Sequence, residues 1–407
     1  MKKIYTSIKS DYILFLIMIV YILFFDNKAF GYDEPYYLDN VRLLQTLGLG
    51  KQFLVQMGGP AGPLHTFFFW LAFPLTGSNV ILTRLVNPLL LILIIIISKQ
   101  IVAKIFLLTE ENNHYSTGFM FIPMVYVCAG MALTEMPALL MLTFSMFFLF
   151  KSDKNNKLPE IVAAAFFLSL AIIGRQPYLL LIFPFGLWVF VSTANKYINT
   201  FLFLAVAFCI PCILFYYWHG IAPSKGGDDA GRGFFNFKNF VLGFGYASLT
   251  MILINRNFFI RIQKKYLPYI VVLLLLAVLF CYKIDFGMPL MLTAMTKLIP
   301  AYFIEVYQKL IAALLILLAV YFVVSISFLI IMNWDNQKQV LLLVSLGIIV
   351  SSCGLINHQF SSRYVFQAAL FMILCLPPQK KDRTQVALSI AGGILGMISL
   401  YTYALSI

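Results

Sequence analysis

The segment FGYDEPYYLDN, residues 30–40, is the part of the chain that decides the fold assignment. It follows an apolar run that extends from Tyr12 to Phe25, and it places two adjacent carboxylates, Asp33 and Glu34, shortly after that run ends. Acidic side chains close to the hydrocarbon of a membrane are energetically unfavourable, and where they occur they usually have a function. We therefore expect this segment to carry functional residues and the other apolar runs to form a scaffold around it.

The composition is typical of an integral membrane protein. The chain has 407 residues, of which 61% are hydrophobic and 11% are charged, and its mean hydropathy is +0.91. Soluble domains carry about 25% charged residues. No stretch outside the apolar runs is long enough for an independent soluble core, so we predict one polytopic, all-α membrane domain over residues 1–407.

The net charge of +13 is explained by membrane orientation. Lys and Arg collect in cytoplasmic loops of membrane proteins, and the sequence has no basic helix or stacking platform that would indicate nucleic-acid binding. Lys2, Lys3 and Lys9 precede the first predicted span, about residues 11–30. We therefore predict a plasma-membrane protein with a cytoplasmic N-terminus and with Asp33 on the external, periplasmic side.

Hydropathy predicts about 13 transmembrane helices, each of about 20 residues. The apolar run at residues 63–77 is shorter, and making it a span would place the basic cluster at residues 256–265 outside. We predict that this run and the amphipathic segment at residues 36–48 form juxtamembrane helices in a first external loop, residues 31–79. Other predicted spans include residues 80–98, 117–133, 159–174, 177–193 and 199–218.

The ionisable residues predicted to be external are acidic early in the chain and basic later. A carboxylate can take a proton from an attacking hydroxyl group, and cationic groups can hold a departing phosphate. The pattern therefore favours transfer from a phosphate-linked donor. The residues are Asp33, Glu34, Asp39, His65, Arg84, Glu135, Arg175, Arg232, His358 and Arg363.

The Asp33-Glu34 pair, with amphipathic surface helices behind it, resembles the GT-C superfamily of polyprenyl-phosphate-sugar-dependent glycosyltransferases. The resemblance extends through GGPAGPLH and LTRLVN, at residues 58–65 and 82–87, and continues at Thr134-Glu135. Two later motifs are similar to the dolichyl-phosphoglucose α-1,2-glucosyltransferase family. They are Arg175-Gln176 and NHQFSSRY at residues 357–364. Aminoarabinose and mannose transferases share the first motif, so the sugar does not follow from it.

The resemblance implies a GT-C fold and an inverting glycosyltransferase, either hexosyl or pentosyl. The enzyme would move a sugar from a polyprenyl-monophosphate donor, held in membrane lipid, to a hydroxyl group of a lipid-linked glycan or surface polymer. Asp33 would be the catalytic base, and Glu34 would orient it or bind the acceptor. The other implied substrate-binding residues are Glu135 at the sugar or acceptor, Arg175, His358 and Arg363 at the donor phosphate, and Gln176 beside Arg175.

Several residues also have a purely structural interpretation. Asp33 could cap a helix, and Glu135 could favour a helix N-terminus. Arg175 could snorkel to the interface, while Arg84 is interpreted as an interfacial anchor. His65, on an apolar segment, is expected to be a packed histidine.

A divalent metal is possible but not favoured, and we expect no cofactor. Oxygen and nitrogen ligands for Mg²⁺ or Mn²⁺ are offered by Asp33, Glu34, Asp39 and His65. Two adjacent residues seldom both reach one ion, which argues against such a site.

Two other functions stay open. A glycan ligase or polymerase of the same general fold would use a large late loop, for which residues 283–305 are the candidate. A lipid or solute transporter would place its ionisable residues near the middle of the membrane, whereas here they lie at the ends of predicted spans.

Overall fold

The structure is a computed structural model that describes most of the chain. The described residues are 2–24, 29–31, 33–59, 61–106, 118–155, 157–223, 235–258, 272, 275, 300–356, 360–377 and 383–405. Over these residues the chain is helical and has no β-strand, which confirms the all-α prediction.

The chain divides into two compact units. The first comprises residues 1–117, 128–232 and 404–407, and the second comprises residues 118–127 and 233–403. The prediction of one polytopic domain stays a prediction.

The described part of the chain forms the following α-helices, in chain order. They are α1 (Lys2–Phe24), α2 (Glu34–Leu47), α3 (Lys51–Gln56), α4 (Leu64–Thr76), α5 (Val80–Arg84), α6 (Val86–Ile105), α7 (Pro123–Gly130), α8 (Glu135–Asn155), α9 (Leu158–Gly174), α10 (Ile182–Ser192), α11 (Lys196–Trp218), α12 (Phe237–Ile254), α13 (Ala301–Met332), α14 (Gln337–Ser351), α15 (Arg363–Phe366), α16 (Ala369–Leu374) and α17 (Arg383–Leu405). Short 3₁₀ helices lie at Phe119–Phe121, Gln176–Leu181, Arg256–Phe258 and Ser352–Leu355.

Seven segments of the described residues are long and apolar enough to cross a membrane, as expected of a multi-pass membrane protein. They are Val80–Ile105, Glu135–Ser152, Lys196–Trp218, Phe237–Ile254, Tyr302–Met332, Gln337–Leu355 and Arg383–Ala404. Shorter apolar helices occupy Tyr12–Phe24, Leu64–Thr76, Leu158–Gly174 and Gln176–Ser192. The total of about 13 spans stays a prediction, since residues 259–271 and 276–299 lie outside the described ones.

The predicted span at residues 117–133 is not one continuous helix, and this part of the prediction is wrong. A 3₁₀ turn at Phe119–Phe121 precedes α7, which has only 8 residues. Gly118 has a φ of 81°, and Pro123 has no backbone N–H to continue the preceding turn. At 1.5 Å per residue, α7 covers about 12 Å, far less than the hydrocarbon thickness of about 30 Å.

The first predicted external loop contains three helices, α2, α3 and α4. Helix α2 buries Tyr37, Val41 and Leu44, which are spaced to lie on one face, and it packs on α4. Val41 also forms an apolar cluster with Phe69 of α4 and with Ala132, in the turn after α7. This cluster brings the loop and the turn together, and the functional candidates lie beside it.

In the first unit, α8 forms the centre of the packing. It lies against α6 and α9, and α9 also packs on α11. In the second unit, α12 packs on α13 and α14. A Cβ at Gly245 of α12 would lie 2.4 Å from the carbonyl oxygen of Leu315, so only glycine permits this close approach of the two helix backbones.

Candidate functional site

Glu34 is completely buried, and both of its carboxylate oxygens accept hydrogen bonds. The backbone N–H of Gly31 donates to Oε2 at 3.0 Å, and the backbone N–H of Ala132 donates to Oε1 at 2.7 Å. Glu34 therefore ties its own loop to a turn that lies 98 positions further along the chain.

Arg84 provides the counter-charge for this carboxylate. Its Nε donates to both oxygens of Glu34, at 2.9 and 3.2 Å, and its Nη2 donates to Oε2 at 2.5 Å. Nη2 also donates to the carbonyl oxygen of Ala29 at 3.1 Å. Arg84 is only 1% exposed. The interpretation of Arg84 as an interfacial anchor is wrong, because its guanidinium group is enclosed by protein.

Asp33 is the N-cap residue of α2 and directly precedes Glu34. Its backbone is in the helical region, and its carbonyl oxygen accepts the N–H of Tyr37 at 3.2 Å. Within the described part of the chain, its carboxylate accepts no capping hydrogen bond from the helix backbone. The side chain is partly exposed, whereas that of Glu34 is buried. Of the two adjacent carboxylates, Asp33 is the more accessible one.

The turn at residues 131–134 is held by side chains from three segments. Asn87 of α6 donates through Nδ2 to the carbonyl oxygens of Cys128, Met131 and Leu133, at 2.7 to 3.1 Å. His65 contacts the carbonyl oxygen of Ala132, and Glu34 binds the N–H of the same residue. These contacts fix the conformation of the turn. Glu135 directly follows the turn.

Glu135 is the first residue of α8, and it forms a buried ion pair with Arg175. The Nη2 of Arg175 donates to Oε1 of Glu135, and both side chains are almost completely enclosed. Arg175 follows the C-terminus of α9, so the pair joins the ends of two neighbouring helices. The alternative of a snorkelling Arg175 does not fit this burial.

His65 is packed in the interior, as the sequence indicates. Its ring stacks on Phe69 at 4.2 Å between centroids, and its Nε2 lies 3.1 Å from the carbonyl oxygen of Ala132. Burial lowers the pKa of His65 from 6.5 to about 4, against smaller opposing effects of this hydrogen bond and of the Glu135 carboxylate. The imidazole is therefore neutral at pH 7, with the proton on Nε2 facing the carbonyl oxygen.

Two glycines allow close backbone packing in this part of the first unit. A Cβ at Gly62 would lie 1.9 Å from the carbonyl oxygen of Ile173, and one at Gly174 would lie 2.8 Å from Ala138 and from Leu64. The turn before α4 thus packs directly on the backbone at the end of α9. This contact places His65, at the start of α4, close enough for the charges of Glu135 and Arg175 to affect its pKa.

The structure brings part of the predicted site together. Glu34 binds the 131–134 turn, Glu135 directly follows that turn, and Arg175 pairs with Glu135. Asp33 directly precedes Glu34, and Gln176 follows Arg175 as a half-buried residue. Arg363 is buried in the second unit, at the start of α15. Its backbone N–H donates to Ser361, whose hydroxyl lies 2.8 Å from that of Tyr403. His358 lies outside the described residues.

Arg84 and Asn87 are the residues whose contacts the sequence did not predict. Both belong to the LTRLVN run, which resembles a GT-C motif, and Arg84 is also one of the ionisable residues predicted to be external. The run marks a conspicuous polar interruption before an apolar helix, but it carries no information on the partner of either residue.

The described residues contain no group of three His, Cys, Asp or Glu side chains arranged to hold a metal ion. Among the ligands considered from the sequence, Glu34 has both oxygens engaged by Arg84 and backbone N–H groups. The absence of a metal requirement stays a prediction.

Comparison with known proteins gives a fold likeness only. No protein-family model matches the chain, and no curated protein matches its sequence significantly. The crystal structure of ArnT from Cupriavidus metallidurans bound to undecaprenyl phosphate is similar at 12% identity and a TM-score of 0.44, over 98% of this chain and 76% of that one. ArnT in the apo state is similar at 12% identity and a TM-score of 0.42, over 96% and 78%. At these scores the likeness assigns neither a family nor an activity.

Proposed function

We propose that the chain is a membrane glycosyltransferase that moves a sugar from a polyprenyl-monophosphate donor to a hydroxyl group of a glycan acceptor. The observation that carries the proposal is that two adjacent carboxylates differ in burial and in bonding. Glu34 is buried and bound by Arg84 and two backbone N–H groups, while Asp33 remains partly exposed on the loop that these bonds hold. Proton transfer requires a base that is accessible to the substrate and held in a fixed position.

Asp33 is the base in this mechanism. The acceptor hydroxyl oxygen attacks the anomeric carbon of the donor sugar, and Asp33 takes the hydroxyl proton as the new C–O bond forms. The bond between the anomeric carbon and the phosphate oxygen breaks at the same time, and its electron pair leaves with the polyprenyl phosphate. Attack opposite to the leaving group inverts the anomeric configuration.

Cationic groups stabilise the departing phosphate monoester. Arg175 carries this role in the proposal, and it is buried, where the attraction of a guanidinium group for phosphate is stronger than in water. The assignment of Arg363 to the donor phosphate stays a prediction. Glu135 binds Arg175 and fixes the orientation of its planar guanidinium group. The proposed role of Glu34 is to position Asp33, without contact to the acceptor.

The buried charge pairs favour an enzyme over a transporter. Arg84 ends α5, Glu135 begins α8, and Arg175 directly follows α9, so these ionisable groups lie at helix ends. A transporter is expected to carry them near the middle of its spans, at interrupted helices. The proposed site faces the external side of the plasma membrane.

The test uses the purified full chain in sealed vesicles with radiolabelled polyprenyl-phosphate sugars. Undecaprenyl phosphate, the lipid in one of the ArnT crystals, provides the carrier for the first panel of glucose, mannose and aminoarabinose donors. We expect a new glycosidic bond on an added lipid-linked glycan fraction. Movement of the label across the vesicle membrane without any new glycosidic bond would instead support a transporter.

A further inference from the structure

We infer that the ring of Tyr36 is a platform on which a sugar ring of the acceptor glycan stacks, beside the Asp33 carboxylate. The inference rests on the proposed function and deepens it by naming a residue that contacts the acceptor. It follows from the position of Tyr36 on α2, from the way the ring is held, and from the polar character of its surroundings.

Helical spacing places Tyr36 close to Asp33. Because Asp33 already has a helical backbone conformation, Tyr36 follows it at i+3, and such residues have Cβ atoms about 5–6 Å apart on the helix surface. Tyr37, at i+4, is buried and its ring lies 5.5 Å from that of His65. Tyr36 is 45% exposed. It is therefore the accessible aromatic ring nearest to the proposed base along α2.

The ring of Tyr36 is immobilised although it is accessible. Tyr36 lies directly on the turn of Gly58 and Gly59, where a Cβ would come within 2.9 and 2.7 Å of its atoms. Gly59 also has a φ of 93°, which disfavours other residues. The two missing side chains leave space for the ring, so one side of Tyr36 is fixed against backbone.

A pair of hydrogen bonds holds the glycine turn itself. Nδ2 of Asn40 donates to the carbonyl oxygen of Gly58, and the N–H of Gly58 donates to Oδ1 of Asn40, both at 2.9 Å. Asn40 lies one helical turn after Tyr36, so the same helix supplies the ring and the anchor for the surface beneath it. A ring held in this way loses little conformational entropy when a ligand binds.

Charged residues flank Tyr36 along α2. Tyrosine is common at membrane interfaces as an anchor, where the residues beside it are apolar. Here Asp33 precedes Tyr36 by three positions, and Asp39 follows it by three and pairs with Arg42 at 2.9 Å. An accessible aromatic ring between hydrogen-bonding groups suits a ligand with an apolar face and polar edges.

A pyranose ring is a ligand of this kind. The C–H groups on one face of the sugar carry partial positive charge and contact the negative face of an aromatic ring, while the hydroxyl groups at its edge reach carboxylates and guanidinium groups. The stacked sugar is assigned to the acceptor, because the acceptor hydroxyl must reach Asp33 for proton transfer.

The test is saturation-transfer NMR on the full chain in nanodiscs, with soluble oligosaccharides of glucose, mannose, galactose and N-acetylglucosamine as probes. We expect the wild type and Tyr36→Phe to bind at least one probe. We expect Tyr36→Leu, which keeps apolar contact with the glycine turn, to bind it about tenfold more weakly. Tyr197→Leu, an exposed tyrosine at the start of α11, is the matched control and should bind as the wild type does.

A second measurement uses the wild-type protein, so a folding defect in Tyr36→Leu does not affect it. Tetranitromethane modifies accessible tyrosines, and saturating oligosaccharide should slow modification of Tyr36 and leave that of Tyr197 unchanged. Equal binding by the wild type and a folded Tyr36→Leu, or no protection of Tyr36, would overturn the inference. Sugar binding at Tyr36 without any transfer activity would refute only the proposed function. Transfer with an unchanged acceptor KM in Tyr36→Leu would refute only the platform.

Discussion

Arg84 donates hydrogen bonds to both carboxylate oxygens of Glu34, at 2.5 to 3.2 Å. Both side chains are buried, although the two residues lie fifty positions apart along the chain. Removing either partner leaves the other charge buried. The pair also joins the loop before α2 to the end of α5, since Arg84 binds the carbonyl oxygen of Ala29. It is therefore the contact through which a distant helix determines where Asp33 lies.

Glu34→Gln and Arg84→Met should each lower the free energy of unfolding by about 3–5 kcal/mol, because each leaves an uncompensated buried charge. The double variant Glu34→Gln/Arg84→Met should lose less than the sum, with a coupling of up to about 3 kcal/mol. Denaturant unfolding in detergent, with tryptophan fluorescence as the signal, measures these values.

The exposed pair of Asp39 and Arg42 is the control for this cycle. Its side chains are 67% and 68% exposed, so Asp39→Asn and Arg42→Gln should each change stability by at most about 1 kcal/mol. Strict additivity of the Glu34 and Arg84 variants would show that the two side chains do not interact as described.

His65 should make the protein less stable in acid. Burial lowers its pKa from 6.5 to about 4, so between these values the unfolded state binds more protons than the folded state. Stability attributable to His65 is fully present above pH 6.5, and about 2–3 kcal/mol of it is lost as the pH falls to 4. His65→Gln should remove this component. Unfolding midpoints of both proteins at pH 7, 6, 5 and 4.5 provide the comparison, and parallel curves would contradict the prediction.

Gly62→Ala should destabilise the first unit strongly, because the added methyl group would lie 1.9 Å from the carbonyl oxygen of Ile173. The start of α4 would have to move away from the end of α9, with a loss of about 2 kcal/mol or more. Gly347→Ala is the matched control. Gly347 lies inside α14 with no atom within 4 Å of the added position, so alanine there should stabilise the helix by about 1 kcal/mol. Thermal unfolding in detergent distinguishes the two, and equal midpoints for both variants would refute the close contact.

The sequence predicted the local elements of the first loop well. The apolar spacing at residues 36–48 correctly indicated a helix. Of the apolar face that this spacing predicts, Val41 and Leu44 are buried, Leu38 is half-buried and Leu47 is exposed. The shortness of the run at residues 63–77 correctly indicated a helix of fewer than 18 residues. Both signals are local, because helical periodicity and length are properties of a few turns of chain.

The long-range contacts of the site were not predictable in the same way. Glu34 meets Arg84 across 50 positions and the Ala132 backbone across 98, and one sequence holds no signal that matches such partners. The broken segment around α7 was missed for a different reason. Its residues are uniformly apolar, so hydropathy alone indicated a span, although Gly118 and Pro123 interrupt the helix.

The activity of Asp33→Asn tests the central claim most directly. Asparagine keeps the size of the side chain but cannot accept the acceptor proton, so transfer from radiolabelled polyprenyl-phosphate sugar should fall at least about 100-fold. Asp335→Asn, at an exposed aspartate in the turn between α13 and α14, should transfer at nearly the wild-type rate, and both variants should unfold at the wild-type midpoint. Transfer by folded Asp33→Asn at the wild-type rate would contradict the assignment of Asp33 as the base.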